Sequence, residues 1–254
     1  MTASSQPIRA HSFNAAAAQY AANRPSYPPA LFDRIEELTS RPLKGARVAD
    51  IGAGTGIATA LLAARGADVV AVEPGDGMAA EFRRANPGIP IVRGSGDALP
   101  LAAASADLLT YAQAWHWTEP ARSVPEALRV LRPGGALALW WNTTDLDVPW
   151  LAAQARRLER YFGFTREVDR TGNATALADP TGRLDLTRRQ VRWSRPVPVD
   201  MHLANIGSHS MFLVQSEERR AAILDEERDH LLAAFPDGTV EETYVVELLV
   251  ATNS

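Results

Sequence analysis

The most informative stretch of this chain is V-A-D-I-G-A-G-T-G, residues 48–56. Its apolar positions predict a short buried strand, and three glycines spaced by two then lead into a helix that we expect to begin near Ile57. Glycine lets the backbone approach a ligand closely and adopt angles that a Cβ atom forbids. The unpaired N–H groups at a helix start offer further hydrogen-bond donors. The stretch therefore predicts a turn over which a flat, polar ligand lies.

The glycine spacing separates this turn from the dinucleotide-binding fingerprint. That fingerprint is G-x-G-x-x-G, with a pyrophosphate at the helix N-terminus, whereas here G-x-G-x-G follows Asp50. An anion beside the turn disfavours a diphosphate and suits a ligand that carries an ammonium group. A turn that is glycine-rich only for structural reasons stays open as the alternative.

Apolar runs and turn residues alternate along the next part of the chain. Strands are predicted at 69–72, 91–92, 107–111 and 136–141, with helices between them. Glu73 ends the second strand, roughly 20 positions beyond the glycine turn, where it could accept hydrogen bonds from ribose hydroxyls. Asp97 follows the third strand and could accept a hydrogen bond from an adenine amino group. Because ligands bind beyond the carboxyl ends of parallel strands, we expect one cleft to collect Glu73, Asp97, Gln113 and the glycine turn.

Five motifs in this order resemble the class I S-adenosylmethionine-dependent methyltransferases with small-molecule acceptors. They are D-I-G-A-G-T-G, Glu73, G-D-A-L-P-L (96–101), A-Q-A-W-H-W (112–117) and L-R-P-G-G (131–135). N-R-P-S-Y-P (23–28) resembles a segment seen in part of this group, and the resemblance covers about residues 10–142. It implies an α/β, Rossmann-like, doubly wound and mostly parallel seven-stranded sheet with an antiparallel last strand and a helical lid insertion. The implied cofactor is S-adenosylmethionine, with S-adenosylhomocysteine as the product.

The resemblance also implies which residues form the site. Cofactor binding is expected of Tyr20, Arg24, Asp50, Gly52, Ala53, Gly54, Thr55, Gly56, Glu73, Pro74, Met78, Gly96, Asp97, Ala98, Ala112 and Gln113. The acceptor is expected to contact Tyr27, Trp115, His116, Trp141 and Trp150.

His116 is the candidate general base, because histidine titrates near working pH and this one follows the fourth strand. A structural role between Trp115 and Trp117 stays the alternative. Methyl transfer can also be accelerated largely by alignment and desolvation, without an acid or base.

The chain divides into four predicted segments. These are an N-terminal helical flap (1–40), the cofactor-binding core (41–142), a lid insertion on the acceptor side (143–187) and a C-terminal completion of the core (188–254). Helices are predicted at 14–22, 31–38, 123–131, 149–164, 201–214 and 217–234, and the last strands at 190–193 and 243–251.

Composition narrows the function classes. A net charge of −4 argues against a nucleic-acid partner, which favours a basic face. The absence of cysteine excludes disulfides and thiolate metal sites, and His202 and His209 have no third metal ligand nearby, so we expect no metal. No apolar run is long enough to cross a bilayer. We expect a cytoplasmic monomer or homodimer that methylates an oxygen or nitrogen atom of a small molecule, with a carbon atom as the alternative, as in secondary metabolism.

Two other functions are alternatives to the methyltransferase. A binding module could keep the cofactor pocket without transferring a methyl group. A nicotinamide-dependent oxidoreductase is disfavoured by the glycine spacing and by Asp50.

Overall fold

The computed structural model of this chain describes residues 24–163, 178–180 and 182–253. Its strands are β1 (Arg47–Ile51), β2 (Asp68–Glu73), β3 (Ile91–Arg93), β4 (Ala106–Ala112), β5 (Leu131–Thr144), β6 (Thr187–Pro198) and β7 (Thr239–Thr252). Its helices are α1 (Pro29–Thr39), α2 (Ile57–Ala64), α3 (Asp76–Ala85), α4 (Pro120–Val130), α5 (Pro149–Phe162), α6 (Val199–Gly207), α7 (Ser210–Leu213) and α8 (Glu217–Ala234), with a 3₁₀ helix at Trp115–Trp117. None of the helices in these ranges is long and apolar enough to cross a lipid bilayer.

The strands form a seven-stranded sheet in the order β3-β2-β1-β4-β5-β7-β6. β1 pairs in parallel with β2 and β4, β2 with β3, and β4 with β5. Along β5 and β7, Gly134 N–H donates to Asn253 O at 2.7 Å and Asp145 N–H donates to Thr243 O at 3.0 Å. The first pair joins the start of β5 to the end of β7, so these strands are antiparallel. This confirms the predicted mixed sheet, with the antiparallel strand inserted next to β5.

The described residues form two compact units. The first contains 26–142, 178–180, 182–191 and 246–253, and the second contains 24–25, 143–163 and 192–245. The four segments predicted from the sequence divide the chain differently and stay a prediction.

The first unit has an apolar core between its sheet and helices. Ile51, Val72, Leu109, Leu137 and Leu139 are buried in one cluster, because strands covered on both faces are apolar at nearly every position. Parallel pairing brings the carboxyl ends of β1, β2 and β4 to one edge of this sheet.

A carboxylate surrounded by arginines joins the strand starts at the opposite edge. Asp107, near the start of β4, accepts a hydrogen bond from the Arg47 N–H at 2.7 Å. The side chains of Arg41, Arg47 and Arg132 form ion pairs with it. Burial alone would raise the pKa of Asp107, but the Arg47 hydrogen bonds and the arginine charges outweigh burial and lower it. We call this group the Asp107 clamp.

The second unit buries a chain of charged and polar side chains beside its apolar core. Arg157 donates through Nε to Glu227 Oε1 at 2.6 Å, and Gln154 donates to Glu227 Oε2 at 3.2 Å. His202 joins Gln154 Oε1 (2.9 Å) to Glu242 Oε1 (2.7 Å). Since Gln154 turns its amide nitrogen to Glu227, both nitrogens of His202 face acceptor oxygens.

Glu242 is the most strongly perturbed carboxylate of this second unit. It is 1% exposed and also accepts from Arg195 Nε at 2.7 Å. Burial alone would raise the pKa of Glu242, but the His202 hydrogen bond and the charges of His202 and Arg195 lower it to about 2. We call the side chains of 154, 157, 195, 202, 227 and 242 the polar network.

Most predicted elements are present, with two informative differences. The helix over 217–234 is confirmed as α8, whose first turn is capped by Ser216 Oγ accepting from the Arg219 N–H. The predicted helix over 201–214 is wrong: the chain forms α6 and α7, and the Ser208 hydroxyl donates to the Asn205 carbonyl at the break. R-P-G-G, expected to precede a strand, is instead a bulge inside β5. The predicted helix 14–22 lies outside the described residues.

Candidate functional site

The three glycines of the turn have different surroundings although all have positive φ. A Cβ on Gly52 (φ +67°) would lie 2.6 Å from Ala114 Cβ, and one on Gly56 (φ +91°) would lie 2.4 Å from Asn86 Nδ2. A Cβ on Gly54 (φ +58°) would meet nothing within 4 Å. The outer glycines therefore allow the turn to pack against β4 and α3, and Gly54 faces open space.

Glu73 lies at the end of β2, directly beside this open position. Its Oε2 accepts from the Gly54 N–H at 2.9 Å and its Oε1 from the Gly75 N–H at 2.7 Å. Burial raises the pKa of Glu73, although both N–H groups and the Arg93 charge oppose the rise. A carboxylate has about four acceptor positions, so two hydrogen bonds leave room for two ligand hydroxyls.

Asp50 differs from the prediction that it holds a cationic ligand directly. The residue is 0% exposed, and its two oxygens accept from the Thr59 hydroxyl at 2.5 Å and the Thr110 hydroxyl at 2.8 Å. Burial raises its pKa to about 6 against these two hydrogen bonds. Asp50 thus joins β1, α2 and β4 beneath the turn. Thr59 and Thr110 have no sequence signal that links them to it, because they lie 9 and 60 positions away.

The loop after β3 places Asp97 beside the 3₁₀ helix. Asp97 Oδ1 accepts from the Glu119 N–H at 2.8 Å, so this oxygen organises the loop and Oδ2 remains for a ligand amine. Gly96 is buried, and a Cβ added there would lie 2.7 Å from Thr118 Cγ2. Ala98 is exposed next to it.

Gln113, which follows Ala112 at the end of β4, has a backbone conformation that is rare outside glycine. Its φ is +57°, which costs about 1–2 kcal/mol for a residue with a Cβ atom. Two hydrogen bonds stabilise it: its N–H donates to Trp140 O at 2.9 Å and its Nε2 donates to Asn142 O at 3.1 Å. This conformation turns the chain into the Trp115–Trp117 helix next to the end of β5.

His116 lies in that short helix and pairs with Trp141. The indole Nε1 of Trp141 donates to His116 Nδ1 at 3.2 Å. The Trp117 ring lies 4.8 Å from the imidazole between ring centroids, at an angle of 45°. Burial lowers the pKa of His116 to about 4. The lone pair of Nδ1, which a general base would use to accept a proton, thus already accepts a hydrogen bond from Trp141.

The aromatic residues predicted to contact the acceptor separate into different environments. Trp115, predicted to contact the acceptor, is 2% exposed in this structure: its Nε1 donates to Ala178 O at 2.8 Å, and its ring packs edge-on against Tyr111. Tyr27 packs edge-on against the buried Trp140. Trp150 belongs to the second unit, where it packs against His202 and Phe235.

The remaining predicted cofactor residues are placed as follows. Ala53 lies in the turn and Thr55 is buried there, Pro74 is exposed, and Met78 is buried on α3. Arg24 is half-buried in the second unit. Tyr20 lies outside the described residues. No group of three histidine, aspartate or glutamate side chains in the described ranges could hold a metal ion.

The geometry fits a nucleoside. The open face at Gly54 gives room for a ligand against the backbone, and the adjacent Glu73 carboxylate has free acceptor positions for vicinal hydroxyls. Asp97 and Ala98 lie after the neighbouring strand, where a base would follow a ribose. The donor set contains no cationic side chain that would neutralise a diphosphate at the turn itself.

Comparisons with known proteins show that this chain is similar to methyltransferases. A family model described as a methyltransferase domain matches residues 49–139. The chain is 38% identical over 225 residues to an uncharacterised methyltransferase of Mycobacterium tuberculosis, with 89% of this chain and 87% of that protein covered. A solved structure of a putative type II methyltransferase from Anaeromyxobacter dehalogenans superposes with a TM-score of 0.69 at 25% identity, covering 91% of this chain and 98% of the other.

More distant relatives have named acceptors. A demethylmenaquinone methyltransferase of Beutenbergia cavernae is 34% identical, with 62% of this chain and 62% of that protein covered. A malonyl-[acyl-carrier protein] O-methyltransferase of Methylococcus capsulatus is 35% identical, with 62% and 61% covered.

Proposed function

This chain belongs to the class I S-adenosylmethionine-dependent methyltransferases, and we propose that it binds S-adenosylmethionine over the glycine turn and methylates a small-molecule acceptor. The observation that carries the proposal is the pairing of an open Gly54 with the Glu73 carboxylate at the end of β2. A dinucleotide would bring a diphosphate to a turn that follows Asp50 in sequence and whose Gly54 N–H is bonded to the Glu73 carboxylate.

The chain's own residues would bind and orient the reactants. Glu73 would accept hydrogen bonds from the ribose hydroxyls, and Asp97 Oδ2 with the backbone of Ala98 would recognise the adenine edge. The bound cofactor supplies an electrophilic methyl group on a sulfonium. Asp50, fully buried, would act by fixing the turn through Thr59 and Thr110, so it is a positioning residue.

The acceptor is proposed to be a small molecule that presents oxygen, nitrogen or carbon to the methyl group. Support comes from the two relatives whose names give a quinone-type acceptor and a carboxyl acceptor. An acidic chain with a net charge of −4 also disfavours a nucleic acid.

Calorimetric titration of Glu73→Ala tests the cofactor site. Loss of a paired, charge-assisted hydrogen bond should weaken S-adenosylhomocysteine binding by about 2–3 kcal/mol, roughly 30- to 150-fold. Glu73→Gln, which keeps one carbonyl oxygen for the turn, should show a smaller loss. Glu36→Gln is the matched control, because Glu36 also accepts a backbone N–H, from Leu43 at 2.7 Å, and lies in the first unit before β1. Unchanged affinity in both Glu73 variants would remove this residue from the site.

Ligand-induced heat stabilisation separates the three function classes. S-adenosylhomocysteine should raise the melting temperature and NAD should not. The reverse result would favour the oxidoreductase. A methyl-release screen over carboxylic acids, phenols and amines then separates the enzyme from a binding module, which would bind the cofactor without turning over any acceptor.

A further inference from the structure

We propose that His116 is a hydrogen-bond donor to an oxygen of the acceptor and not the base that deprotonates it. The indole of Trp141 holds the imidazole in this role by occupying Nδ1. This proposal rests on the proposed function and adds to it a role for each of the two residues and a class of acceptor.

The tautomer of His116 follows from the chemistry of its partner. An indole N–H can only donate a hydrogen bond, so the 3.2 Å contact from Trp141 Nε1 requires a lone pair on His116 Nδ1. A neutral imidazole carries one proton, which must then lie on Nε2. To accept a proton, the ring would have to break the Trp141 hydrogen bond.

The pairing is built into the ends of two strands. Trp140 is 0% exposed in β5, and the alternation of side chains along a strand places Trp141 on the other face. The Gln113 N–H bonds to the Trp140 carbonyl, which fixes the chain beyond β4 against this point of β5. The left-handed backbone at Gln113 then brings His116 opposite Trp141.

The surroundings of the ring keep it neutral and leave Nε2 available. His116 retains exposed surface, yet enough protein packs around the imidazole for desolvation to lower its pKa to about 4. Within the described ranges, Nε2 has no hydrogen-bond acceptor, and Trp117 beside it is 39% exposed.

A fixed donor without a base selects acceptors that need no deprotonation by the enzyme. A carboxylate or an enolate already carries an oxygen lone pair as its nucleophile. When it attacks, the new oxygen–carbon bond forms as the carbon–sulfur bond breaks, the sulfur keeps the electron pair, and no proton moves. For a carboxylate, Nε2–H would bind the oxygen that does not attack. The aromatic faces of Trp117 and Trp141 suit an apolar or unsaturated neighbouring group.

Nitrogen-15 NMR of histidine-labelled protein tests the tautomer without any acceptor. The chain has five histidines, and the His116 signals are assigned by their loss in His116→Gln. We expect the Nε2–H tautomer with no titration between pH 5.5 and 8. Trp141→Phe keeps an aromatic side chain but removes the N–H donor. The His116 Nδ1 signal should therefore shift, and the pKa of the imidazole should rise. A wild-type His116 that carries its proton on Nδ1, or that titrates near 6.5, would overturn the proposal.

Variants in the methyl-release screen test the donor role. Glutamine places an amide N–H near Nε2 but cannot act as a base, so His116→Gln should keep kcat/KM within about tenfold of wild type. His116→Leu should lose about 10- to 100-fold, as expected for a hydrogen bond to a charged group. Equal loss in both variants, or methylation of amines alone, would contradict the donor role. If S-adenosylhomocysteine fails to bind, the proposed function fails while the NMR result still decides the tautomer.

Discussion

The two units bury carboxylates in opposite ways. Among the described residues, the hydrogen-bond partners of Asp50 in the first unit are two threonine hydroxyls, and burial raises its pKa to about 6. Glu242 in the second unit has a histidine and an arginine, and its pKa falls to about 2. Burial alone thus does not decide what a carboxylate does to stability; the charge of its partners does. At neutral pH the arrangement around Asp50 lowers the free energy of unfolding, and the arrangement around Glu242 raises it.

The largest effect should come from breaking the second arrangement. Glu242→Gln leaves the half-buried Arg195 without its counter-charge and replaces the carboxylate that bonds to the buried His202, which should lower the free energy of unfolding by about 3–5 kcal/mol at pH 7. Urea denaturation followed by tryptophan fluorescence measures this. Asp200→Asn is the control, because the Asp200–Arg228 pair of the same unit is exposed and its loss should stay within about 0.5 kcal/mol.

The same variant has a pH signature. The native pKa of Glu242 lies below its ordinary 4.5, so its stabilisation is present above pH 4.5 and is lost as pH falls toward 2. The gap between wild type and Glu242→Gln should narrow over that window. A gap that is constant with pH would mean that the polar network contributes packing and not charge.

Asp50→Asn should show the opposite pH dependence. Since the native pKa is raised from 3.8 to about 6, the folded state holds this proton more tightly, and the resulting stabilisation is present below pH 3.8 and lost as pH rises through 6. A shift of this size is worth about 3 kcal/mol. Relative to wild type, Asp50→Asn should therefore gain up to about 3 kcal/mol between pH 4 and pH 7. Parallel stability curves for the two proteins would show that Asp50 is not buried as described.

The smallest change in the free energy of unfolding is expected from removing a single hydroxyl that bonds to Asp50. Thr59→Val keeps the shape of the side chain but removes a hydrogen bond to Asp50, which should cost about 1–2 kcal/mol. The loss should be larger at pH 7 than at pH 4, because the hydroxyl favours the charged carboxylate. Equilibrium unfolding at both pH values checks this, and an equal loss at both would assign Thr59 to packing alone.

The fold was readable from local sequence patterns, and its exceptions have physical causes. The glycine turn, the end of β2 at Glu73 and the boundaries of α8 all follow from periodicity, caps and glycine spacing. The break between α6 and α7 at Ser208 could not be predicted in this way, because a serine hydroxyl can bond to a backbone carbonyl inside or outside a helix. R-P-G-G is a bulge since Asn253, far along the chain, supplies its hydrogen bonds.

The site was predictable to the level of strand ends but not of side-chain environment. Asp50 is acidic and precedes the turn, yet only tertiary structure shows that two threonines enclose it. Trp115 and Trp141 are the same residue type near the same edge, and one is a core residue while the other contacts His116. The sequence does not predict the polar network, because His202 lies 48 positions after Gln154 and 40 positions before Glu242.

The Asp107 clamp has a consequence for laboratory evolution of this enzyme. Its arginines tie together the starts of β1, β4 and β5, at the end of the strands away from the loops that follow Ile51, Glu73 and Ala112. Libraries that randomise residues 116, 117 and 141 would change the surface proposed to contact the acceptor while leaving the Asp107 clamp intact. We therefore expect the protein to tolerate such substitutions only while Asp107 is kept. Variants with an additional substitution at Asp107 should fail to fold and be lost from a selection for new acceptors.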